Sequence, residues 1–349
     1  MLRSVFSRIL GLVFLFSGFV KCADPVGTSV FVEKYLATYH LDALLPVALV
    51  VAVALAAVEL LLGAMLMFGV AQRVTAVATT IFMSLFTAVT LLSATVQPIG
   101  DCGCFGDAVR LSPWETFAKN LVMLPMAIYI WWGSERRNVT RKEVVTSVVV
   151  LALAVGLNLY SLRYQPIIEF MPYRVGVNLW EAVSHDRLVL ESQSKTQLIF
   201  RDTTSDEELS FPSDDAECWL RDDLEFVESR TEVVADLASL PFAEFVLTDA
   251  EGNDCTLEFL QENRDITLLT VYDVESLSAR RLKAATQLLE SSDKVVVITS
   301  ADRAKVAEIL GVEPYSLDAM TLRTVIRSRV GVVELRDGAI SRKCDVRDI

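Results

Sequence analysis

The stretch VQPIGDCGCFGDAVRLSPWE, residues 96–115, packs two cysteines, three glycines and two aspartates between two long apolar runs. Its meaning depends on its neighbours. Apolar runs over residues 74–96 and 117–132 flank it, and three more stand at 5–20, 44–70 and 144–160. Each approaches the ~20 residues a helix needs to cross a ~30 Å hydrocarbon core, with Arg8 and Lys119 as snorkelling ends. Five transmembrane helices are expected. Lys21 spoils both a small-residue cleavage site and a lipoprotein box ahead of Cys22, so the first run is expected to stay in the protein.

Composition agrees. The 349 residues are 52% hydrophobic with a mean hydropathy of +0.42, too apolar for an ordinary soluble protein, and long enough for two or three domains. The halves are unlike: residues 1–164 carry 12 Lys and Arg against 9 Asp and Glu, and residues 165–349 carry 20 against 36. The second half reads as a water-soluble acidic domain with no affinity for nucleic acid. Arg3 and Arg8, the Gln72–Arg73 turn, and Arg136, Arg137, Arg141 and Lys142 mark the cytoplasmic ends of the helices. Counting crossings from there places the cysteine loop, all six cysteines and everything after about residue 163 on the opposite, oxidising side.

From residue 242 the period changes. ITLLTVYD, KVVVITS, VGVVELRDG and FVLTD read as strands, and SLSARRLKAATQLLES, ADRAKVAEILG and TLRTVIRS as helices, which predicts a βαβ core with a largely parallel sheet. The order resembles the thioredoxin-like fold. Proteins of that fold carry C-x-x-C where the first long strand meets its helix, because the helix N-terminus lowers the thiol pKa. Here that place reads YDVESLSARR, residues 272–281, without a cysteine, and Val330 stands where a proline usually precedes a later strand. A degenerate redox site is expected. Residues 165–241 read as an extended linker and a small strand-rich acidic segment with Trp219 as a packing anchor. Cys218, Cys255 and Cys344 are free to pair or to remain thiols.

Three readings of the Cys102–Gly103–Cys104 loop stay open. A disulfide between the two cysteines would close a small strained ring and so be exchangeable; His40, Asp101 and Asp107 would be needed to complete a metal site; or the glycines make a compact structural turn. Cys22 is a candidate third thiol beside Lys21, or a buried helix-end residue. Glu59, one carboxylate deep in an apolar helix, is either a proton or ligand site or a helix–helix contact, with Lys119 and Asn120 as candidate partners and a kink expected at Pro125.

GLVFLFSGFVK (11–21) with Asp24-Pro25, VELLLGAMLMFG (58–69) and DCGCFGDAVRLSPWETFAKN (101–120) resemble the DoxX-like membrane proteins of the methylamine-utilisation MauE group. The whole chain resembles a long form of that group. The resemblance implies a four-helix unit over 1–133, a basic cytoplasmic loop and fifth transmembrane helix over 134–164, the linker and acidic segment over 165–241, and an extracytoplasmic α/β thioredoxin-like domain over 242–349. It further implies a bacterial inner-membrane protein that supports maturation of extracytoplasmic proteins by thiol-disulfide chemistry at Cys102 and Cys104, with Glu59 and Lys21 from the other motifs in support; Cys22 enters only through its place beside Lys21. A membrane quinone would accept the electrons, and the partners would be the lipid bilayer and a protein client or thiol partner. The alternative is a non-enzymatic assembly factor with a structural C-G-C loop.

Overall fold

A computed structural model of the chain describes residues 1–96, 103–109, 111–203, 207–212, 216–233 and 240–349. The first half is helical: α1 (Leu2–Ala23), α2 (Pro25–Thr38), α3 (Ala48–Phe68), α4 (Gln72–Thr95), the short β1 (Cys104–Asp107), α5 (Pro113–Trp132) and α6 (Arg141–Tyr164). Local chemistry sets the boundaries. Asp24 caps α2 by accepting from the Gly27 N–H, ahead of Pro25 at the first helical position. Ser112 with Glu115, and Thr140 with Glu143, form capping boxes at α5 and α6.

Among the described residues, four helical stretches are long and apolar enough to cross a membrane: Leu2–Ala23, Asp42–Phe68, Gln72–Thr95 and Arg141–Tyr164. Of the five expected crossings, α5 falls short, because Glu115, Lys119 and Asn120 occupy its opening turns. It nevertheless runs the length of α1: Phe105 beside its start contacts Phe16, its Tyr129 ring meets Phe6, and Arg3 lies against Gly133 at its end. At ~1.5 Å per residue its 20 residues reach about 30 Å. The helix continues through Pro125. Large apolar side chains such as Val50, Leu85, Val122 and Leu153 stay exposed on the bundle surface, as lipid-facing positions do.

The packing of α1 on α3 depends on glycine. A Cβ on Gly18 would stand 2.4 Å from the Leu60 nitrogen, and one on Gly63 2.4 Å from the Leu15 nitrogen, so the two backbones touch. Basic residues gather at one end of the bundle, where Arg73 donates to the Ser134 carbonyl and Arg137 pairs with Glu143. Strand β1, the described part of the cysteine loop, lies at the other.

The second half contains α7 (Leu179–Ser192), a three-stranded antiparallel sheet of β2 (Ser194–Asp202), β3 (Glu208–Pro212) and β4 (Leu224–Val233) with β2 in the middle, then α8 (Thr256–Glu262), β5 (Thr267–Val271), α9 (Ala279–Ser291), β6 (Val295–Thr299), α10 (Arg303–Leu310), β7 (Tyr315–Ser316), α11 (Ala319–Val325), β8 (Val330–Arg336) and β9 (Ala339–Asp345). The larger sheet has the order β7-β6-β5-β8-β9. It is mixed rather than largely parallel: β7, β6 and β5 are parallel, while β8 and β9 run antiparallel as a closing hairpin. Alternation sorts the strand side chains. Leu268, Ile298 and Val333 face one core with α7, α8 and α11, and Leu269, Val297 and Val332 face the other with α9 and α10.

Three expectations change. FVLTD forms only isolated bridges at Thr248, although Phe245 and Leu247 are buried. The segment read as linker becomes domain core from Tyr173 onward, since Tyr173, Leu179 and Val183 pack against Phe245 and Leu247. Trp219 does pack, on Phe200 and Phe226, but as a surface residue that is 58% exposed.

Candidate functional site beneath the cysteine loop

Ser17 and Lys21 stand one helical turn apart on the same face of α1, and the glycine contact brings that face against Glu59 of α3. Lys21 Nζ lies 2.8 Å from Glu59 Oε2 and 2.7 Å from Ser17 Oγ, and it also donates to the Cys104 carbonyl. Ser17 Oγ is 2.6 Å from both Glu59 Oε2 and the Cys104 carbonyl. Lys21 and Glu59 are each 5% exposed. An ammonium has three N–H donors, and all three are used. The loop strand β1 is thereby clasped, through its backbone, by a buried ion pair.

Glu59 therefore finds its partner on α1 and not on α5. Lys119 instead lies over the Phe105 ring, 4.4 Å from its centroid, and Asn120 donates to Thr90 Oγ1 at 3.3 Å. Both still line the same small cavity as Glu59, about 40 Å³ between α1, α4 and α5. A larger cavity of about 320 Å³ opens between α2, α3 and α4, with Val51 and Leu85 at its lipid side and Lys21, Gly103 and Cys104 at its inner end. Cys104 and Phe86 line both. Gly103, at φ 63°, lets Phe31 of α2 pack where a Cβ would come within 2.6 Å of its ring.

Cys102 and Asp101 lie outside the described residues, as does the Asp107 side chain. Cys22 faces away from the loop. It is fully buried among Ala56, Ala57 and Ala154, and its sulfur accepts from Asn158 Nδ2 at 3.1 Å. Neighbours on a helix point about 100° apart, so Lys21 and Cys22 serve different seams. Exposed His40 ends the turn after α2, and among the described residues no three His, Cys, Asp or Glu side chains gather as a metal site. Cys255 and Cys344 are half-buried thiols packed against separate cores, and burial pushes both pKa values up, which disfavours the thiolate.

The acidic half docks on the same end of the bundle as the cysteine loop. Arg327 grips Asp24 in bidentate fashion, Nε to Oδ1 at 3.0 Å and Nη2 to Oδ2 at 2.7 Å, with side-chain exposures of 6% and 10%. Arg323 pairs with Glu33 at 2.7 Å, Arg163 with Asp348 at 2.9 Å, and Gln165 donates to Ser328 at 2.6 Å. Sequence reasoning missed Ser17 and Arg327. Ser17 had a signal, a hydroxyl one turn before Lys21, whereas nothing local marked Arg327.

No curated protein and no solved structure matches the chain. The four apolar helices make it a multi-pass membrane protein in contact with lipid. Its first 133 residues, α1 through α5 with the clasped loop, match the family model of the methylamine utilisation protein MauE.

Proposed function

We propose that this protein is a bacterial inner-membrane component of thiol-disulfide exchange, serving the maturation of extracytoplasmic proteins in methylamine utilisation. The observation that carries the reading is the clasp of the Cys104 carbonyl by the buried Lys21–Ser17–Glu59 group. A loop that only needed to turn would not require an ion pair held inside a membrane bundle, where each charge is costly to bury. The basic cluster at the opposite end supports a cytoplasmic N-terminus and a periplasmic C-terminal domain.

In this reading Cys102 and Cys104 form a disulfide, losing two electrons and two protons. Exchange with a client dithiol then oxidises the client and returns the pair to thiols. A membrane quinone, entering from lipid past Val51 and Leu85 into the larger cavity, fits as the acceptor that takes up both electrons and both protons. Apolar walls and a volume of about 320 Å³ suit a quinone ring. Glu59 and Ser17 stand where protons leaving the loop would pass, and Lys21 holds the loop in place. The β5-α9-β6 unit with its β8–β9 hairpin supports a thioredoxin-like domain. It has no cysteine at Tyr272–Arg281, so it serves to dock a client rather than relay electrons.

Mass-tagged alkylation of membrane preparations, before and after reductant, tests the pair. A shift of two tags that disappears in Cys102→Ser/Cys104→Ser is expected. A pair fully alkylated under oxidising conditions would refute redox cycling and leave the assembly-factor reading, which the Asp24–Arg327 docking also supports.

A further inference from the structure

The three-stranded acidic sheet has no role in the thiol chemistry, yet it gathers three unusual properties. Between residues 201 and 233 the chain has twelve Asp and Glu against three Arg. All three arginines are paired locally, Arg201 with Glu208, Arg221 with Asp223 and Arg230 with Glu228. Large apolar side chains are also left in water there. Trp219, Leu220 and Phe226 are 58%, 82% and 44% exposed. The Trp219 and Phe226 rings stack at 5.3 Å over buried Phe200, which makes a rigid shelf rather than a loose end. Finally, among the described residues the sheet has a long open edge. β3 spans five residues and ends at Pro212, which has no N–H to offer, but β4 runs ten residues and pairs only with β2 among the described residues.

We propose that β4 and the Trp219–Phe226 shelf form a docking surface for an extended cationic segment of an extracytoplasmic protein, added as a further strand. Backbone groups of the segment pair with the β4 edge. One apolar side chain lies beside Phe226, and lysine or arginine residues on either side meet Glu225 and compete with Arg230 for Glu228. Charge selects this occupant over the two other candidates for an apolar shelf, because a second copy of the chain or an anionic lipid surface would bring more negative charge. The inference takes the side of the membrane from the proposed function but does not depend on redox activity at the loop.

The test uses the full chain in detergent micelles and a fluorescent ten-residue peptide alternating lysine with valine, read by anisotropy. Binding that weakens steeply with salt is expected. Glu225→Lys/Glu228→Lys, at exposed positions that leave the fold intact, weakens it tenfold or more, and Trp219→Ser/Phe226→Ser does the same. A peptide alternating glutamate with valine does not bind. The proposal is overturned if either double variant binds within twofold of the unaltered protein while retaining its thermal midpoint, if both peptides bind equally, or if sedimentation shows Trp219-dependent self-association. Thiol tagging at the loop is scored separately, so loss of one reading leaves the other measurable.

Discussion

Lys21 has three protons to donate, and Glu59, Ser17 and the Cys104 carbonyl accept all three. A saturated buried cation tolerates little change at any partner. Glu59→Gln leaves the ammonium without a counter-charge and should destabilise the bundle by about 3–5 kcal/mol, seen as a lower thermal midpoint in detergent. Ser17→Ala removes one acceptor and should cost about 1–3 kcal/mol. Lys21→Met with Glu59→Leu should recover much of the stability lost in Glu59→Gln, because both charges go together, while loosening the loop. Equal midpoints for Glu59→Gln and the unaltered protein would show that the pair does not hold the bundle. At this scale the sequence was half informative. A lone carboxylate in an apolar helix announced a buried site, but its partner did not, since Lys21 lies 38 residues away at a helix end. Such a lysine reads equally well as snorkelling to the interface.

Periodicity made most elements legible. β5, β6 and β8 show short β-branched runs, and α9 to α11 follow the helical period, so each was found within a few residues. α7 was not. Its sequence, LWEAVSHDRLVLES, is amphipathic but short, and it follows a proline-containing stretch that suggests an extended chain. Only the core formed with Phe245 and Leu247 explains why it is helical. The same contrast separates α5 from its neighbours, because tertiary contact with α1 and α4 carries a helix whose own hydropathy is too low. For α1 and α3 the decisive feature is the absence of side chains. Gly18→Leu must push the Leu60 backbone away, and it should separate Lys21 from Glu59 and abolish a folded, monodisperse protein in size-exclusion chromatography. Gly156 of α6, with nothing within 4 Å of its Cβ position, provides the control. Gly156→Ala should leave the midpoint unchanged or raise it by up to about 1 kcal/mol of stability.

At the scale of the whole chain, the docking of the two halves was not legible at all, since Asp24 and Arg327 are 303 residues apart and neither sits in an unusual local pattern. Asp24→Asn keeps an N-cap acceptor for α2 but removes the charge. It should therefore free the outer domain without unfolding the helix. Limited proteolysis should then cut between residues 165 and 176, where the chain has neither helix nor strand, at least tenfold faster than in the unaltered protein. Arg327→Ala should behave alike. Unchanged cleavage in both variants would mean that the remaining contacts at Glu33, Arg163 and Gln165 suffice.

The spacing of that same pair also orders events during synthesis. At ~5–20 residues per second, about 15–60 s separate the emergence of Asp24 from that of Arg327. The helices are inserted and the carboxylate waits, hydrated at the membrane surface, until its guanidinium arrives. The latch is thus made late in translation, and a nascent bundle stays open for up to about a minute at the end that carries the cysteines.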